Sequence, residues 1–499
     1  MRQIYNPYLP LTEYVPDGEP HVFDDRVYIY GSHDKANGEA YCEQDYVTWS
    51  APVDDLTDWR YEGVIYRKNQ DPSNKDGKMQ LWAPDVTRGV DGRYYMYYCF
   101  SFYPEIGVAV SDSPAGPFEF YGHVKYPKEL HDGATLKEEM PFDPAVLTDE
   151  DGSVYLYYGF APACEKEMEL PQLDAEMLKE LPEGITEEDV RKMMEQMSQI
   201  KLGENGMVVE LESDMLTVKE DPKVCIPSGH HAEGTGFEGH AFFEASSIRK
   251  IGDTYYFVYS SHKSHELCYA TSKKPTEGYQ YGGTIVSNGD IGYENRKVPV
   301  NVLGNNHGGI EKIGNDYYIF YHRQTNGSEF SRQGCAEKIE ILPDGRIQQV
   351  EITSCGLNGK PLVMSGIYPA GIACHITDRT TQDQIDYMNP VMQKQTRITE
   401  KQNQVYITDI TDESVVGYKY FKGRLKEILV EVRGDFEGRL DVLGDSEGKQ
   451  VLGTVQIKVD QENWKLLKVP CQEQEMETAI YFRFTGNGKM DMKSFGFLE

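Results

Sequence analysis

Several features are scarce in this sequence, and each scarcity excludes something. Basic residues are few against acidic ones: 50 Lys and Arg face 81 Asp and Glu, a formal net charge of −31. Binding a nucleic-acid backbone needs a basic face, and so does adhesion to an anionic membrane; both partners are excluded. No uninterrupted apolar stretch approaches the roughly 20 residues of a membrane-spanning helix. The N-terminus, MRQIYNPYLPLTEYVPDGEP, lacks the basic-then-apolar order of a secretory signal. There is no CxxC, and the nine cysteines are scattered and odd in number, which predicts free thiols in a reducing cytoplasm. Tryptophan is scarce too, at 4 residues, yet tyrosine reaches 35 against 19 Phe. Tyrosine suits strands and also suits sites that grip polar, flat-faced ligands.

The tyrosines are organised. A turn dipeptide followed by alternating Tyr and aliphatic residues recurs five times: DDRVYIYGSHD, DGRYYMYYCFS, DGSVYLYYGFA, GDTYYFVYSSH and GNDYYIFYHRQ. The aligned tyrosines are Tyr28, Tyr95, Tyr155, Tyr256 and Tyr318, at intervals of 67, 60, 101 and 62. The long interval contains residues 164–200, rich in Glu, Leu, Met and Lys with helical periodicity. Without that 37-residue insert the interval is 64, in line with the others. A DG-, GD- or GN-type turn before a period-2 strand is a hairpin signature. Five such units at near-constant spacing predict a five-bladed β-propeller over residues 1–356. The Gly- and Pro-containing stretch 357–374 reads as a linker. Eight short strand patterns over 375–499 predict a β-sandwich of jelly-roll type. The fold class is therefore all-β with one short helical insert.

Each repeat is preceded by a polar residue at nearly the same offset. Asp17, Asp85, Asp143, Glu244 and His307 stand 11, 10, 12, 12 and 11 residues before the repeat tyrosines. Equal offsets predict equivalent places in successive blades, so four carboxylates and an imidazole are expected to converge. Such a set suits glycoside hydrolysis, in which one protonated carboxyl protonates the leaving oxygen and a second, ionised carboxylate activates water or attacks the anomeric carbon. Crowding and desolvation raise the pKa of at least one member. Glu244 in FFEA has apolar neighbours that favour its protonated form. Asp17, between Pro and Gly, sits in a more open turn, with Glu19 as its rival.

The segments FDPAVLTDEDGSVYLYYG, FFEASSIRKIGDTYYFVYSS, WAPD and NHGG…YYIFYHR resemble glycoside hydrolase family 43, the five-bladed family of β-xylosidases, α-L-arabinofuranosidases and arabinanases. The resemblance covers roughly residues 5–350. It implies an inverting mechanism with Asp17 as general base, Asp143 as the acid-orienting carboxylate and Glu244 as general acid. It implies Trp82, Asp85, Phe243 and Arg323 around the substrate, and His307 at the propeller centre near a structural calcium ion; no cofactor takes part in the chemistry. The first blade departs from the family's Asp-Pro pair, with PDGEP in its place. The C-terminal region resembles a family 6-type carbohydrate-binding module through VYITDITDESVVGYKYF, the Trp464 strand and YFRFTGNGKMDMKSFGF.

The expected activity is exo-acting release of terminal xylose or arabinose from xylo- or arabino-oligosaccharides. An endo-acting arabinanase or xylanase, a retaining propeller glycosidase and a non-catalytic carbohydrate-binding propeller are the alternatives. The acidic insert at 164–200 either walls off one end of the groove or makes a homo-oligomer contact.

Overall fold

The computed structural model describes residues 2–101, 103–136, 140–162, 191, 203–379 and 395–498. The helical insert expected at 164–200 lies, apart from Arg191, outside the described residues. Five successive antiparallel sheets form the propeller blades. Blade 1 contains Glu19–Phe23, Arg26–Tyr30, Tyr46–Pro52 and Arg60–Tyr66. Blade 2 contains Leu81–Arg88, Tyr94–Phe100, Tyr103–Ser111 and Glu119–His123. Blade 3 contains Ala145–Thr148, Val154–Tyr158, Asn205–Leu211 and Lys223–Pro227. Blade 4 contains Phe242–Ile251, Thr254–Ser261, Glu266–Ser272 and Gln280–Ser287. Blade 5 has three strands, Ile310–Ile313, Asp316–Thr325 and Ser328–Ile339.

The tyrosine register is conformational as well as sequential. Every repeat tyrosine lies in the second strand of its blade, paired with the first: Tyr28 with His21, Tyr95 with Thr87, Tyr155 with Leu147, Tyr256 with Arg249 and Tyr318 with Glu311. The hairpin before each tyrosine needs one left-handed residue. Asp24, Gly92, Gly152, Gly252 and Gly314 supply it, with φ of 56°, 85°, 88°, 58° and 64°. Glycine adopts that conformation without a steric penalty, which explains why the turn dipeptides carry the repeat.

The C-terminal region forms a seven-stranded sheet system, and its longest extended runs are Val415–Leu443 and Val451–Leu498. Glu427–Val432 pairs on one side with residues 492–498 and on the other with 465–470. Its core gathers Tyr418, Phe421, Phe482, Phe484 and Phe495. Part of the stretch expected as a linker is strand: Gly366–Pro369 runs antiparallel to Ser494–Phe497, and its Tyr368 packs on Phe421 and Phe495.

The chain divides into two compact units, residues 1–63, 264–268 and 282–499, and residues 64–263 and 269–281. In the first, the N-terminal segment packs on blade 5. Ile4, Tyr8, Leu9 and Val15 share a core with Val27, Ile29, Ile313 and Phe320. Burying each such side chain contributes about 1.5–3 kcal/mol. Asn6 adds hydrogen bonds from Nδ2 to Ala336 O at 2.9 Å and from Ala336 N to its Oδ1 at 3.0 Å. In the second unit, Tyr95, Tyr97, Val108, Val146, Leu156, Val209 and Val218 form the core between blades 2 and 3. The eight described cysteines are all free. Among the described residues no helix is long and apolar enough to cross a membrane.

Candidate active site

The candidate residues sit at equivalent places in their blades. Asp17 and Asp143 each stand two residues before a first strand, Asp85 and Glu244 lie within one, and His307 stands three before one. The backbone is unusual at two of these residues and close to two others. Asp17, Ala83, Asp143 and Ala245 have φ of 55°, 32°, 47° and 65°. A non-glycine residue held there costs about 1–3 kcal/mol, and such strain gathers at functional sites. In blade 4 the strand register shifts on both sides of Glu244, and in blade 2 it shifts between Trp82 and Asp85. Bulges of this kind re-aim a side chain away from the ladder.

Asp17 is nearly fully buried. Its Oδ1 lies 2.9 Å from Arg332 Nη1 and 3.3 Å from His322 Nδ1. Burial by itself would raise its pKa; the charge of Arg332, the His322 hydrogen bond and the nearby His307 outweigh that and hold the carboxyl well below the usual carboxylate range. His322 is fixed in turn by Nε2 at 2.7 Å from Asn305 O. The turn can form because residue 31 is glycine: a Cβ there would lie 2.3 Å from Pro16 O. Glu19, the rival carboxylate, is buried in the first strand with Oε1 4.0 Å from His307 Nε2. The Arg332 and His322 contacts given above are made by Asp17.

Asp143 and Glu244 belong to the other unit and are built around each other. Asp143 Oδ2 accepts a hydrogen bond of 3.0 Å from the backbone N–H of Ala245, the residue after Glu244. The segment leaving blade 3 staples both neighbours: Gly159 N donates to Phe142 O at 2.9 Å, and Ala161 N donates to Phe243 O at 2.8 Å. Glu244 is half-buried. An aromatic series flanks the pair. Trp82 meets Phe142 edge-on at 5.3 Å, Phe142 meets Phe160 at 5.0 Å, and Phe160 meets Phe243 at 5.3 Å. Trp82 and Phe243, expected around the substrate, thus belong to one aromatic wall.

Two of the residues expected around the substrate also make structural hydrogen bonds. Asp85 is completely buried, and its carboxylate accepts hydrogen bonds of 2.7 Å from Val86 N and 2.7 Å from Val146 N. It ties the first strand of blade 2 to that of blade 3. Arg323 is buried as well. Its guanidinium donates to Gln333 Oε1 at 2.9 Å, Ala373 O at 2.7 Å and Gly371 O at 2.5 Å. The reason is strand parity. Successive side chains in Asp316–Thr325 point to opposite faces, so His322 faces Asp17 and Arg323 faces the 371–373 segment. The arginine beside Asp17 is Arg332, which pairs across the strands with Gln324, two residues beyond His322. Arg323→Ala should cost about 2–4 kcal/mol, since it leaves two carbonyls and an amide buried without their donor. Thermal unfolding should show that loss, while KM of the folded variant stays at the wild-type value.

Calcium takes six to eight oxygen ligands, and among the described residues no group of three potential metal-binding side chains includes His307. Its close carboxylate is Glu19. The steps derived for the carboxylates use no metal ion.

Residues 10–192 match the profile of glycosyl hydrolases family 43. The chain is 46% identical over 505 residues to a xylosidase/arabinosidase of Thermoclostridium stercorarium, covering 99% of this chain and 98% of that protein. It is 30% identical over 362 residues to a xylosidase/arabinosidase of Bacteroides ovatus, covering 69% of this chain and 97% of the relative. The solved structure of a β-xylosidase aligns at 28% identity and a TM-score of 0.49, covering 69% of this chain and 97% of the other.

Proposed function

Because the chain belongs to glycoside hydrolase family 43, we propose that it is an inverting exo-glycosidase that removes terminal pentoses from xylo- or arabino-oligosaccharides, with Glu244 as general acid and Asp17 as general base. The xylosidase/arabinosidase names of full-length relatives support the substrate class. One contrast supports the roles. Asp17 is buried against a guanidinium and a histidine that favour its ionised form. Glu244 is half-buried beside Phe243, with Asp143 anchored next to it. A carboxylate kept charged and a second carboxyl that carries a proton are the two partners this hydrolysis needs.

In this reaction Asp17 takes a proton from a water molecule as its oxygen attacks the anomeric carbon. The bond from that carbon to the glycosidic oxygen breaks, and Glu244 delivers its proton to the departing oxygen. The sugar leaves with inverted configuration, and the proton gained by Asp17 and the proton lost by Glu244 balance through solvent. Asp143, held by Ala245 N–H, keeps a negative charge beside the acid and favours its protonated form. The aromatic wall offers apolar faces to a sugar ring.

A panel of p-nitrophenyl pentosides and linear oligosaccharides tests the specificity. The expected products are single pentoses from chain ends, with turnover of xylosides, arabinosides or both. Release of long fragments from the interior of a polymer, with pentosides untouched, would contradict it.

A further inference from the structure

A further carboxylate lies behind Asp17. Asp34 is completely buried and holds Arg332 in a fork: Arg332 Nε to Oδ2 is 2.8 Å and Nη2 to Oδ1 is 3.0 Å. The Arg332 backbone N–H also donates to Oδ2 at 3.0 Å. The carboxylate is fixed independently by Cys42 N–H, 3.0 Å from Oδ1. The guanidinium is capped by the ring of Tyr41, with Cζ 4.8 Å from the centroid. Its remaining nitrogen, Nη1, is the one that meets Asp17 at 2.9 Å.

This arrangement goes beyond pairing a charge. A lone arginine facing Asp17 could engage it with two nitrogens and withdraw electron density from both carboxylate oxygens. The fork on Asp34 takes the Nε–H and one Nη2–H, and Nη2 also donates to Cys42 Sγ at 3.4 Å, so Arg332 meets Asp17 through Nη1 alone, on Oδ1. Bidentate Arg–carboxylate pairs are the geometrically strict ones, so Asp34 also fixes where Nη1 points. Two carboxylates share one cation, and the base keeps more of its charge than a private ion pair would leave it.

We propose that Asp34 is a positioning residue for hydrolysis: by binding Arg332 through two of its nitrogens, it sets the single contact that orients Asp17 toward the attacking water. The proposal rests on Asp17 being the general base. It concerns neither the acid nor the sugar pocket, so its signature is a loss in kcat with little change in KM.

The test is a double-mutant cycle on an aryl pentoside with a good leaving group, where base-assisted attack governs the rate. Asp34→Asn should lower kcat about 100-fold, the cost of misplacing a reacting group by roughly 1 Å, with KM within about twofold of wild type. Asp34→Glu, which keeps the charge, should recover part of that loss. In an Asp17→Asn background, Asp34→Asn should cause no further fall, because groups acting through one another are not additive. Unchanged kcat in folded Asp34→Asn, or losses that multiply in the double variant, would overturn the proposal. If Asp34→Asn does not fold, Asp34→Glu takes its place in the same cycle, and an unchanged kcat or multiplying losses there would overturn the proposal equally. Wild-type activity in Asp17→Asn would overturn the assignment of the base instead, so the two failures are distinguishable.

Discussion

Glu244→Ala should abolish hydrolysis of unactivated oligosaccharides while leaving substantially more activity on p-nitrophenyl pentosides. General acid catalysis contributes about 10²–10⁴-fold, and the full loss should appear where the leaving sugar oxygen needs a proton. A p-nitrophenolate leaves without one, so its cleavage should suffer far less. The variant should fold, since Glu244 is half-buried at a strand bulge and its backbone is held by Asp143 and by the Phe243 contact with Ala161. Kinetics on a matched pair of substrates, one oligosaccharide and one aryl glycoside, checks it. Equal losses on both would point to a binding role; full activity on the oligosaccharide would remove Glu244 from the mechanism.

Asp17→Asn should behave differently. Loss of the base affects attack by water whatever the leaving group, so both substrates should lose activity alike, by about 10²–10⁴-fold. Asp34 still neutralises Arg332 in this variant, so the buried cation keeps a partner. The pH dependence follows from the direction of the Asp17 shift. Burial raises its pKa, but Arg332 and His322 lower it further than burial raises it, and the folded value lies below the ordinary 3.8. The base therefore stays ionised through mildly acidic conditions, and wild-type kcat/KM should show no fall there that the Asp17→Asn variant lacks. A depressed carboxylate stabilises the folded state in full above its unfolded pKa and loses that contribution as pH falls toward the folded pKa. The stability difference between wild type and Asp17→Asn should accordingly shrink only below about pH 3.8, as followed by unfolding at a series of pH values.

Much of this fold is legible in the chain because its signals are local. A turn with a left-handed residue and a tyrosine three or four positions later repeats five times, and hairpins are made of short-range contacts. The positions of Asp17, Asp143 and Glu244 follow from the same repeat. Their partners do not. Arg332 meets Asp17 across 315 residues, and nothing near either residue announces the other. Arg323 follows His322 in a recognisable YHR run, yet alternation along the strand turns those two side chains to opposite faces, and the arginine that meets Asp17 is Arg332. Asp85 sits at the repeat offset, and its carboxylate accepts from two backbone N–H groups, one of which, Val146 N–H, lies on the neighbouring blade and is not announced by the local sequence. Sequence periodicity places a residue on a blade; whether its polar atoms remain available depends on contacts between blades.

The central claim is that water, activated by one carboxylate, displaces a sugar whose departing oxygen is protonated by another. Proton NMR of the anomer first released from a pentoside of defined configuration tests it most directly. The expected initial product carries the anomeric configuration opposite to the substrate, before mutarotation mixes the two. Initial release of the same anomer would mean a covalent glycosyl-enzyme intermediate, and would contradict Asp17 as a base acting on water.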